Sequence, residues 1–257
     1  MQYTAIRVIC FSGTDRTWKV AECLTDSTEI ECTRVDLCNS EADFSRCVYG
    51  PGELCVVGVP SYGGRVPQIA VERLRKMKAN GTPAVAVVTY GNRAYEDTLA
   101  ELQDVLEERG FVVVAGVAAV AEHSILHQFA AGRPDAADQA QLKEWGAQIG
   151  AAVRKMEVPV RRSMPGNRPY KPLSPGFLKP HTDEKCIGCG MCATRCPVDA
   201  IPQDNPAKTD ESRCVSCMRC IHVCPEKARS LDAGMLQTLA ARLEPMLSGH
   251  RENELFL

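Results

Sequence analysis

Eight of the 14 cysteines fall into two runs with the spacing C-x2-C-x2-C-x3-C-P. A C-x2-C-x2-C loop is tight enough to bring three thiolates to one cubane iron-sulfur cluster while its backbone N-H groups turn toward the sulfides, and the fourth cysteine of each run ligates the other cluster. We therefore expect two [4Fe-4S] clusters with crossed ligands. The first set is Cys186, Cys189, Cys192 and Cys224, and the second set is Cys214, Cys217, Cys220 and Cys196.

Two other uses of cysteine fit this pattern less well. Structural zinc sites take four ligands in two separated pairs, whereas each run here supplies four cysteines followed by a proline. Disulfides are disfavoured because the C-x2-C loops are close, and because the segment beginning at Met1 lacks the basic region of a secretory signal. The spacing therefore favours clusters.

The flanks of the two runs are also related. Thr182-Asp183-Glu184 precedes the first run and Thr209-Asp210-Glu211 precedes the second, which indicates a duplicated half-domain that closes into one pseudo-symmetric unit. From His181 to Asp232 the chain resembles bacterial-type two-cluster ferredoxins. That resemblance implies an electron-transfer domain in the last quarter of the chain.

The first 157 residues alternate between strand-like and helix-like patterns. Short apolar segments typical of buried parallel strands cover 5–11, 54–59, 84–89 and 111–120, with a weaker one at 29–36. Amphipathic helical patterns cover 68–80, 96–109 and 135–156. This alternation predicts an α/β fold with a doubly wound parallel sheet of five strands.

Ligands of such a sheet bind beyond the carboxyl ends of its strands. Three loops at these ends carry unusual residues and form the candidate cofactor site. They are Ser12, Gly13, Thr14, Asp15, Arg16 and Thr17 after the first strand, Pro60, Ser61, Tyr62, Gly63 and Gly64 after the third, and Thr89, Tyr90, Gly91, Asn92 and Arg93 after the fourth.

Each loop has a functional and a structural interpretation. Hydroxyl groups and helix N-terminal N-H groups in the first loop can bind a phosphate monoester, although an ordinary N-cap with a turn glycine explains the same residues. Tyr62 and Tyr90 lie beside glycines that let a flat flavin ring approach, although each is also typical of a half-buried packing residue. Three such loops at one end of a sheet favour a flavin, with its phosphate on the first loop and its ring between the other two.

At these residues the chain resembles the flavodoxin family, whose phosphate loop commonly reads Ser/Thr-x-Thr-Gly-x-Thr. Ser12, Thr14 and Thr17 match that pattern, whereas Asp15 replaces the usual glycine and Arg16 the usual polar residue. Asp15 places a negative charge near a dianionic phosphate, and Arg16 can offset that charge or bind the phosphate. The resemblance implies FMN as the flavin.

The loop after the fourth strand and one later loop extend this resemblance along the chain. The sequences Tyr90-Gly91-Asn92-Arg93 and Ala121-Glu122-His123-Ser124 are similar to loops of prokaryotic proteins that fuse a flavodoxin-like domain to a two-cluster ferredoxin. We accordingly expect a flavodoxin-like FMN-binding domain at 1–157, a linker at 158–180 with six prolines, and a ferredoxin domain with a C-terminal helical tail at 181–257. Among the basic linker residues, Arg161, Arg162, Arg168 and Lys171 are either solvated or form a docking patch for an acidic partner.

Composition limits the environment and the partners. With 30 basic and 32 acidic residues the net charge is −2, so neither a nucleic-acid footprint nor a polybasic membrane patch is indicated. The longest apolar run, 111–121, is too short to span a bilayer, and we expect a cytoplasmic protein. Six further cysteines lack the spacing of metal ligands, and we interpret them as small apolar residues. They are Cys10, Cys23, Cys32, Cys38, Cys47 and Cys55. So many unpaired thiols suggest a reducing, anaerobic host.

These observations predict an oxidoreductase-type electron carrier that relays electrons between a two-electron and a one-electron partner. FMN can exchange one or two electrons, and each cluster exchanges one electron. No catalytic residue is required. One alternative is an FMN-dependent reductase acting on its own small-molecule substrate, with Glu122, His123 and Tyr95 as proton donors. Another is a ferredoxin on a flavin-free scaffold. The partners expected are redox proteins, a low-potential reductase or acceptor, with a homodimer if the linker reaches a neighbouring chain.

Overall fold

A computed structural model describes residues 1–173, 176 and 178–257. The strands are β1 Ala5–Cys10, β2 Cys32–Asp36, β3 Val48–Tyr49, β4 Glu53–Pro60, β5 Lys78–Ala79, β6 Thr82–Tyr90, β7 Phe111–Val120, β8 His181–Thr182, β9 Arg229–Ser230 and β10 Glu254–Phe256. The helices are α1 Arg16–Thr25, α2 Gln68–Lys76, α3 Thr98–Glu108, α4 Ala136–Lys155, α5 Met191–Thr194, α6 Arg219–His222 and α7 Ala233–Leu247.

The main sheet has the strand order β10-β7-β6-β4-β1-β2. Its five N-terminal strands are parallel and follow the order 2-1-3-4-5, which is the flavodoxin-like doubly wound arrangement. The predicted α/β fold is therefore confirmed. In this topology the switch point lies between β1 and β4, so the loop after β1 stands at the carboxyl edge where such sheets bind ligands.

The sheet is buried on both faces because successive residues of its central strands point to opposite sides. Ile9, Val57 and Ala86 pack on one face with α2 and α3, and Val8, Val56 and Val85 pack on the other with α1 and α4. Strands buried in this way contain continuous apolar runs, which is why the sequence identified them.

The structure differs from the sequence prediction in the end of one helix and in the number of strands. The helix predicted over 68–80 ends at Lys76, because Met77 turns into an extended conformation and lies fully buried while Lys78 and Ala79 form β5 beside β3. The sheet also gains a sixth strand, since β10 from the C-terminus pairs antiparallel with β7. The C-terminal segment assigned to the ferredoxin unit therefore returns to the N-terminal sheet.

The linker lies along α3 and the adjacent sheet. Its backbone N-H at Arg162 donates to the Val113 carbonyl over 2.8 Å, and the Met164 side chain is buried against the core. Three of its basic side chains pair with acidic residues of or near α3, and these pairs are Arg161 with Glu107, Arg168 with Asp104, and Lys171 with Glu96. The linker prediction over 158–180 includes residues 174, 175 and 177, which lie outside the described residues.

The C-terminal unit is built as a repeat. Helices α5 and α6 each follow the second cysteine of a C-x2-C-x2-C loop, and β8 pairs with β9 to join the two halves. Helix α7 then packs Leu236 and Leu239 against this unit before the chain reaches β10. Across the described ranges, no helix is long and apolar enough to cross a membrane.

Candidate metal centre and cofactor loops

The eight cysteines of the repeated runs line two separate cavities. One is bordered by Cys186, Cys189, Cys192 and Cys224, and the other by Cys196, Cys214, Cys217 and Cys220. Each set combines three cysteines from one run with the fourth from the other, which is the crossed arrangement that the spacing predicts. Throughout the described part of the chain, no group of His, Cys, Asp or Glu converges tightly enough to hold a single metal ion.

The backbone of the two loops repeats even where the sequence does not. Gly188 and Gly190 have φ angles of 69° and 73°, and their counterparts Ser216 and Met218 have φ angles of 54° and 62°. This left-handed conformation turns consecutive N-H groups to one side and makes an anion-binding concavity. A non-glycine residue in it costs roughly 1–2 kcal/mol, so the surrounding structure must compensate at Ser216 and Met218.

Hydrogen bonds to sulfur follow the same symmetry. The N-H of Ala200 donates to Cys196 Sγ and the N-H of Ala228 donates to Cys224 Sγ, both over 3.3 Å. Burial raises the pKa of the Cys220 thiol to about 11, so iron binding must displace its proton. The residues therefore fit cubane clusters in ligand number, crossing pattern and N-H bonding.

The second cysteine loop packs on the N-terminal domain. Cys217 lies in the same apolar cluster as Phe11, Leu37 and Cys38, and Tyr62 packs against that cluster. A Cβ atom at Gly13 would overlap the carbonyl oxygen of Cys217, so only glycine allows this approach of the two backbones. The ferredoxin unit therefore docks on the loop predicted to bind phosphate.

Charged side chains hold this contact in place. Arg219, two residues after Cys217, donates to the Ser12 carbonyl over 2.8 Å and to the Asp36 carboxylate over 2.9 Å. His222 Nε2 lies 2.9 Å from Asp15 Oδ2. In addition, Arg73 of α2 donates to the Pro197 carbonyl over 2.5 Å.

Asp15, the departure from the flavodoxin pattern, thus has a role within the chain. It occupies the left-handed region with a φ of 58° and precedes α1 as the N-cap residue, but its side chain makes no capping hydrogen bond. The carboxylate instead faces His222 of the ferredoxin unit. No local pattern signals this pairing, because it joins residues 207 positions apart.

The first loop retains features that fit a phosphate. Within the described residues, no acceptor pairs with the backbone N-H groups from Gly13 to Thr17. The Ser12 hydroxyl is buried and has no hydrogen-bond partner. By contrast, the Thr17 hydroxyl bonds the Thr89 hydroxyl over 2.8 Å, and Arg16 pairs with Glu122 over 2.7 Å. Among the described residues, the donors of this loop without a hydrogen-bond partner are therefore the backbone N-H groups and the hydroxyls of Ser12 and Thr14.

The two tyrosine loops are not equivalent. The Tyr62 ring packs edge-on against Phe11, with ring centroids 6.4 Å apart. Tyr90 instead packs on Tyr95, and its hydroxyl donates to the Glu252 carbonyl of the C-terminal segment. The predicted pair of tyrosines thus lies in different apolar clusters, and only Tyr62 borders the cluster that contains Cys217.

The remaining loop residues also serve the architecture. Asn92 Nδ2 donates to the Leu247 and Gly249 carbonyls at the end of α7, the latter over 2.6 Å. Arg93 pairs with Glu96 over 2.7 Å.

In the loop after β4, Ser61 shares a 2.8 Å hydrogen bond with Thr98, and Gly63 and Gly64 have positive φ angles. Pro60 ends β4 and Gly91 lies against the His123 ring, where a Cβ would overlap it.

Most cysteines outside the repeated runs behave as apolar side chains. Cys10, Cys23, Cys38 and Cys55 are buried, and burial raises the pKa of each thiol, that of Cys38 to about 12. Cys38 Sγ donates to the Ser12 carbonyl over 3.5 Å. Cys32 is exposed and Cys47 is half-buried.

Arg219 and His222 are the functional residues that sequence reasoning missed. The available signal was the break in the repeat, because the small residues Gly188 and Gly190 correspond to the larger Ser216 and Met218, and Met191 corresponds to Arg219. A loop with bulkier and charged residues at duplicated positions indicates a contact that its partner loop lacks.

Comparison with known proteins assigns the C-terminal unit. Residues 185–228 match the family described as 4Fe-4S dicluster domain. Over 48 residues the chain is 40% identical to a subunit of the Na(+)-translocating ferredoxin:NAD(+) oxidoreductase complex of Acetobacterium woodii, covering 18% of this chain and 14% of that protein. Over 47 residues it is 40% identical to a subunit of the ion-translocating oxidoreductase complex of Methanosarcina acetivorans, covering 18% of each.

The N-terminal part is similar to solved flavodoxins. The oxidised flavodoxin 1 of Bacillus cereus aligns with a TM-score of 0.41 and 18% identity over 60% of this chain and 99% of that one. The strand order independently defines the domain as flavodoxin-like. The chain thus joins a flavodoxin-like α/β domain to a 4Fe-4S dicluster domain of the ferredoxin type, and this combination is typical of electron transfer.

Proposed function

We propose that the protein relays electrons between a two-electron and a one-electron partner through FMN and two [4Fe-4S] clusters. The contact between Gly13 and Cys217 carries this proposal, because it joins the predicted phosphate loop to a ligand of the second cluster. FMN supplies exchange of one or two electrons, and each cluster supplies exchange of one.

The residues of the chain position and insulate these groups. Ser12 and the free N-H groups of the first loop bind the phosphate, and the β1/β4 switch point is where a flavodoxin-like sheet holds FMN. Arg219 and His222 hold the second cysteine loop against that same loop. Buried apolar groups around Cys217 exclude water, which strengthens the electrostatic influence of nearby charges on the second cluster.

Three attachments keep the two domains together. The linker is paired to α3, α7 packs beside the second cysteine loop, and β10 extends the main sheet. Asn253 reinforces the last attachment, since its Oδ1 accepts the Val120 N-H and its Nδ2 donates to Asp138. Such a chain transfers electrons between its cofactors without a collision between separate molecules.

Redox proteins are the proposed partners. The matched relatives are subunits of ferredoxin:NAD(+) and ion-translocating oxidoreductase complexes. The chain spans only 14% and 18% of those relatives, so the likeness concerns the cluster domain. A cytoplasmic location and a homodimer remain predictions.

The alternative of a reductase with its own substrate receives less support from the candidate proton donors. His123 is held neutral because burial lowers its pKa to about 4, and its Nδ1 accepts the Ile125 and Leu126 N-H groups. Burial opposes ionisation of Glu122, but hydrogen bonds from the Gly132 N-H and Arg16 lower its pKa overall. Burial and Glu254 raise the pKa of Tyr95. These groups are committed to structural bonds.

Rapid mixing of the anaerobically purified protein with a limiting one-electron reductant tests the proposal. We expect about eight iron and eight sulfide per chain together with bound FMN, and flavin and cluster absorbance that equilibrate at a rate independent of protein concentration. Equilibration that slows in proportion to dilution would mean that electrons pass by collision. Turnover of a small substrate without any partner protein would favour the reductase.

A further inference from the structure

The two halves of the ferredoxin unit have the same backbone but opposite surroundings. In the first cysteine loop, Ile187 is 67% exposed, Met191 is 43% exposed and Cys189 is also exposed. At the matching positions of the second loop, Val215 is half-buried, Arg219 is 8% exposed and Cys217 is 8% exposed. Docking on the N-terminal domain therefore leaves one cluster loop open and closes the other.

In the second cysteine loop, the four central residues 216–219 are all buried. Cys217 faces Gly13, and Met218 packs with Leu178 and Leu231 beneath α7. Arg219 is anchored to Ser12 and Asp36. A protein from solution could reach Cys217 and Arg219 only by displacing the N-terminal domain.

The first cysteine loop has the surface of a transient contact site. Exposed Ile187 and Met191 flank Cys189, a ligand of the first cluster, and a Cβ atom at Gly188 would meet no described atom within 4 Å. Apolar side chains at an exposed metal ligand allow a partner to approach closely, and small contacts of this kind are typical of weak redox encounters.

We infer that the surface formed by Ile187, Gly188, Cys189, Gly190 and Met191 is the docking face for a one-electron redox protein whose own cofactor lies near its surface. The inference rests on the proposed electron-transfer function. In each encounter the partner loses one electron and the first cluster gains it, or the reverse. The second cysteine loop faces inward and exchanges electrons only within the chain.

Opposite charges introduced at the neutral Ile187 test this docking face. The one-electron oxidant of the reduced holoprotein is the basic protein cytochrome c. Ile187→Glu should accelerate the second-order reaction and Ile187→Lys should slow it, because steering acts on charges within about a Debye length of the contact. We expect the two rate constants to differ about tenfold at low ionic strength. Val48→Glu and Val48→Lys are matched controls, since Val48 is 65% exposed in β3 of the other domain.

Two outcomes overturn the inference. The first is an equal rate constant for Ile187→Glu and Ile187→Lys. The second is a difference between the two Val48 variants as large as the difference between the two Ile187 variants. Either result would show that the partner docks elsewhere. A neutral quinone as oxidant should react equally with all four variants, which separates docking from changes in the clusters themselves.

A spectroscopic measurement gives a result independent of turnover. A dysprosium chelate in solution should enhance the electron-spin relaxation of the first reduced cluster much more than that of the second, and equal enhancement would overturn the inward assignment. Neither test requires flavin. Absence of FMN would therefore refute the proposed relay while leaving the docking face testable by itself.

Discussion

Gly13 and Cys217 meet backbone to backbone, and a methyl group on Gly13 would occupy the position of the Cys217 carbonyl oxygen. This single approach seats the second cysteine loop directly on the loop of the flavodoxin-like domain that is predicted to bind phosphate. It explains why the two domains form one unit, and it makes the position of the ferredoxin unit sensitive to one methyl group.

Gly13→Ala should therefore weaken the docking of the ferredoxin unit. Overpacking of this kind costs roughly 1–3 kcal/mol, and the second cysteine loop should move away to relieve it. Hydrogen exchange of residues 12–17 and 214–220 should speed up, and the second cluster should become accessible to a dysprosium chelate. Gly52→Ala is the control because a Cβ there has no atom within 4 Å. Unchanged exchange in Gly13→Ala would contradict the contact.

Cys224→Ala should remove the first cluster, although Cys224 belongs to the second run. Its thiol borders the cavity lined by Cys186, Cys189 and Cys192. Iron should fall from about eight to about four per chain, and the remaining electron paramagnetic resonance signal should be that of the inward cluster. Cys23→Ala should leave iron unchanged, since that thiol is buried away from the repeated runs. Loss of the second cluster with the first retained would refute the crossed assignment.

Ser12→Ala and Thr14→Ala should lower the affinity for FMN more than the affinity for riboflavin, because only FMN carries a phosphate. Ser12 supplies a buried hydroxyl without a partner, so its removal should not destabilise the FMN-free protein. Thr17→Ala should behave differently, because its hydroxyl bonds Thr89 and its loss acts through folding. Fluorescence titration with both flavins measures these effects, and equal losses for both flavins in Ser12→Ala would exclude a phosphate role.

His123 should make the protein sensitive to mild acid. Burial lowers its pKa to about 4 from 6.5, so the unfolded chain binds an extra proton between these values. Stability contributed by the neutral ring is complete above pH 6.5 and declines as the pH falls toward 4, by about 2 kcal/mol between pH 7 and pH 5. Histidine NMR should report the low pKa directly.

His123→Asn should reduce that sensitivity while keeping an acceptor for the Ile125 and Leu126 N-H groups. Anaerobic denaturation midpoints at pH 7 and pH 5 measure the difference. His250→Asn is the control because the His250 side chain is 72% exposed. A pH response equal in the wild type and His123→Asn would refute the assignment.

The linear sequence by itself determined the cluster ligands and the class of fold. The signals were the repeated cysteine spacing and the alternating apolar segments. Cluster ligands must be close in the chain to form a tight loop, so Cys186, Cys189 and Cys192 identified a site before any fold was known. The buried parallel strands are equally local signals, because burial on both faces demands continuous apolar runs.

Only the tertiary structure decided how the two domains meet and which cluster faces outward. The contacts of Gly13 with Cys217 and of Asp15 with His222 join residues about 200 positions apart, and no local periodicity encodes such pairs. The return of β10 to the main sheet is of the same kind. Packing of distant surfaces makes two nearly identical loops unequal, because it buries Arg219 and leaves Met191 exposed.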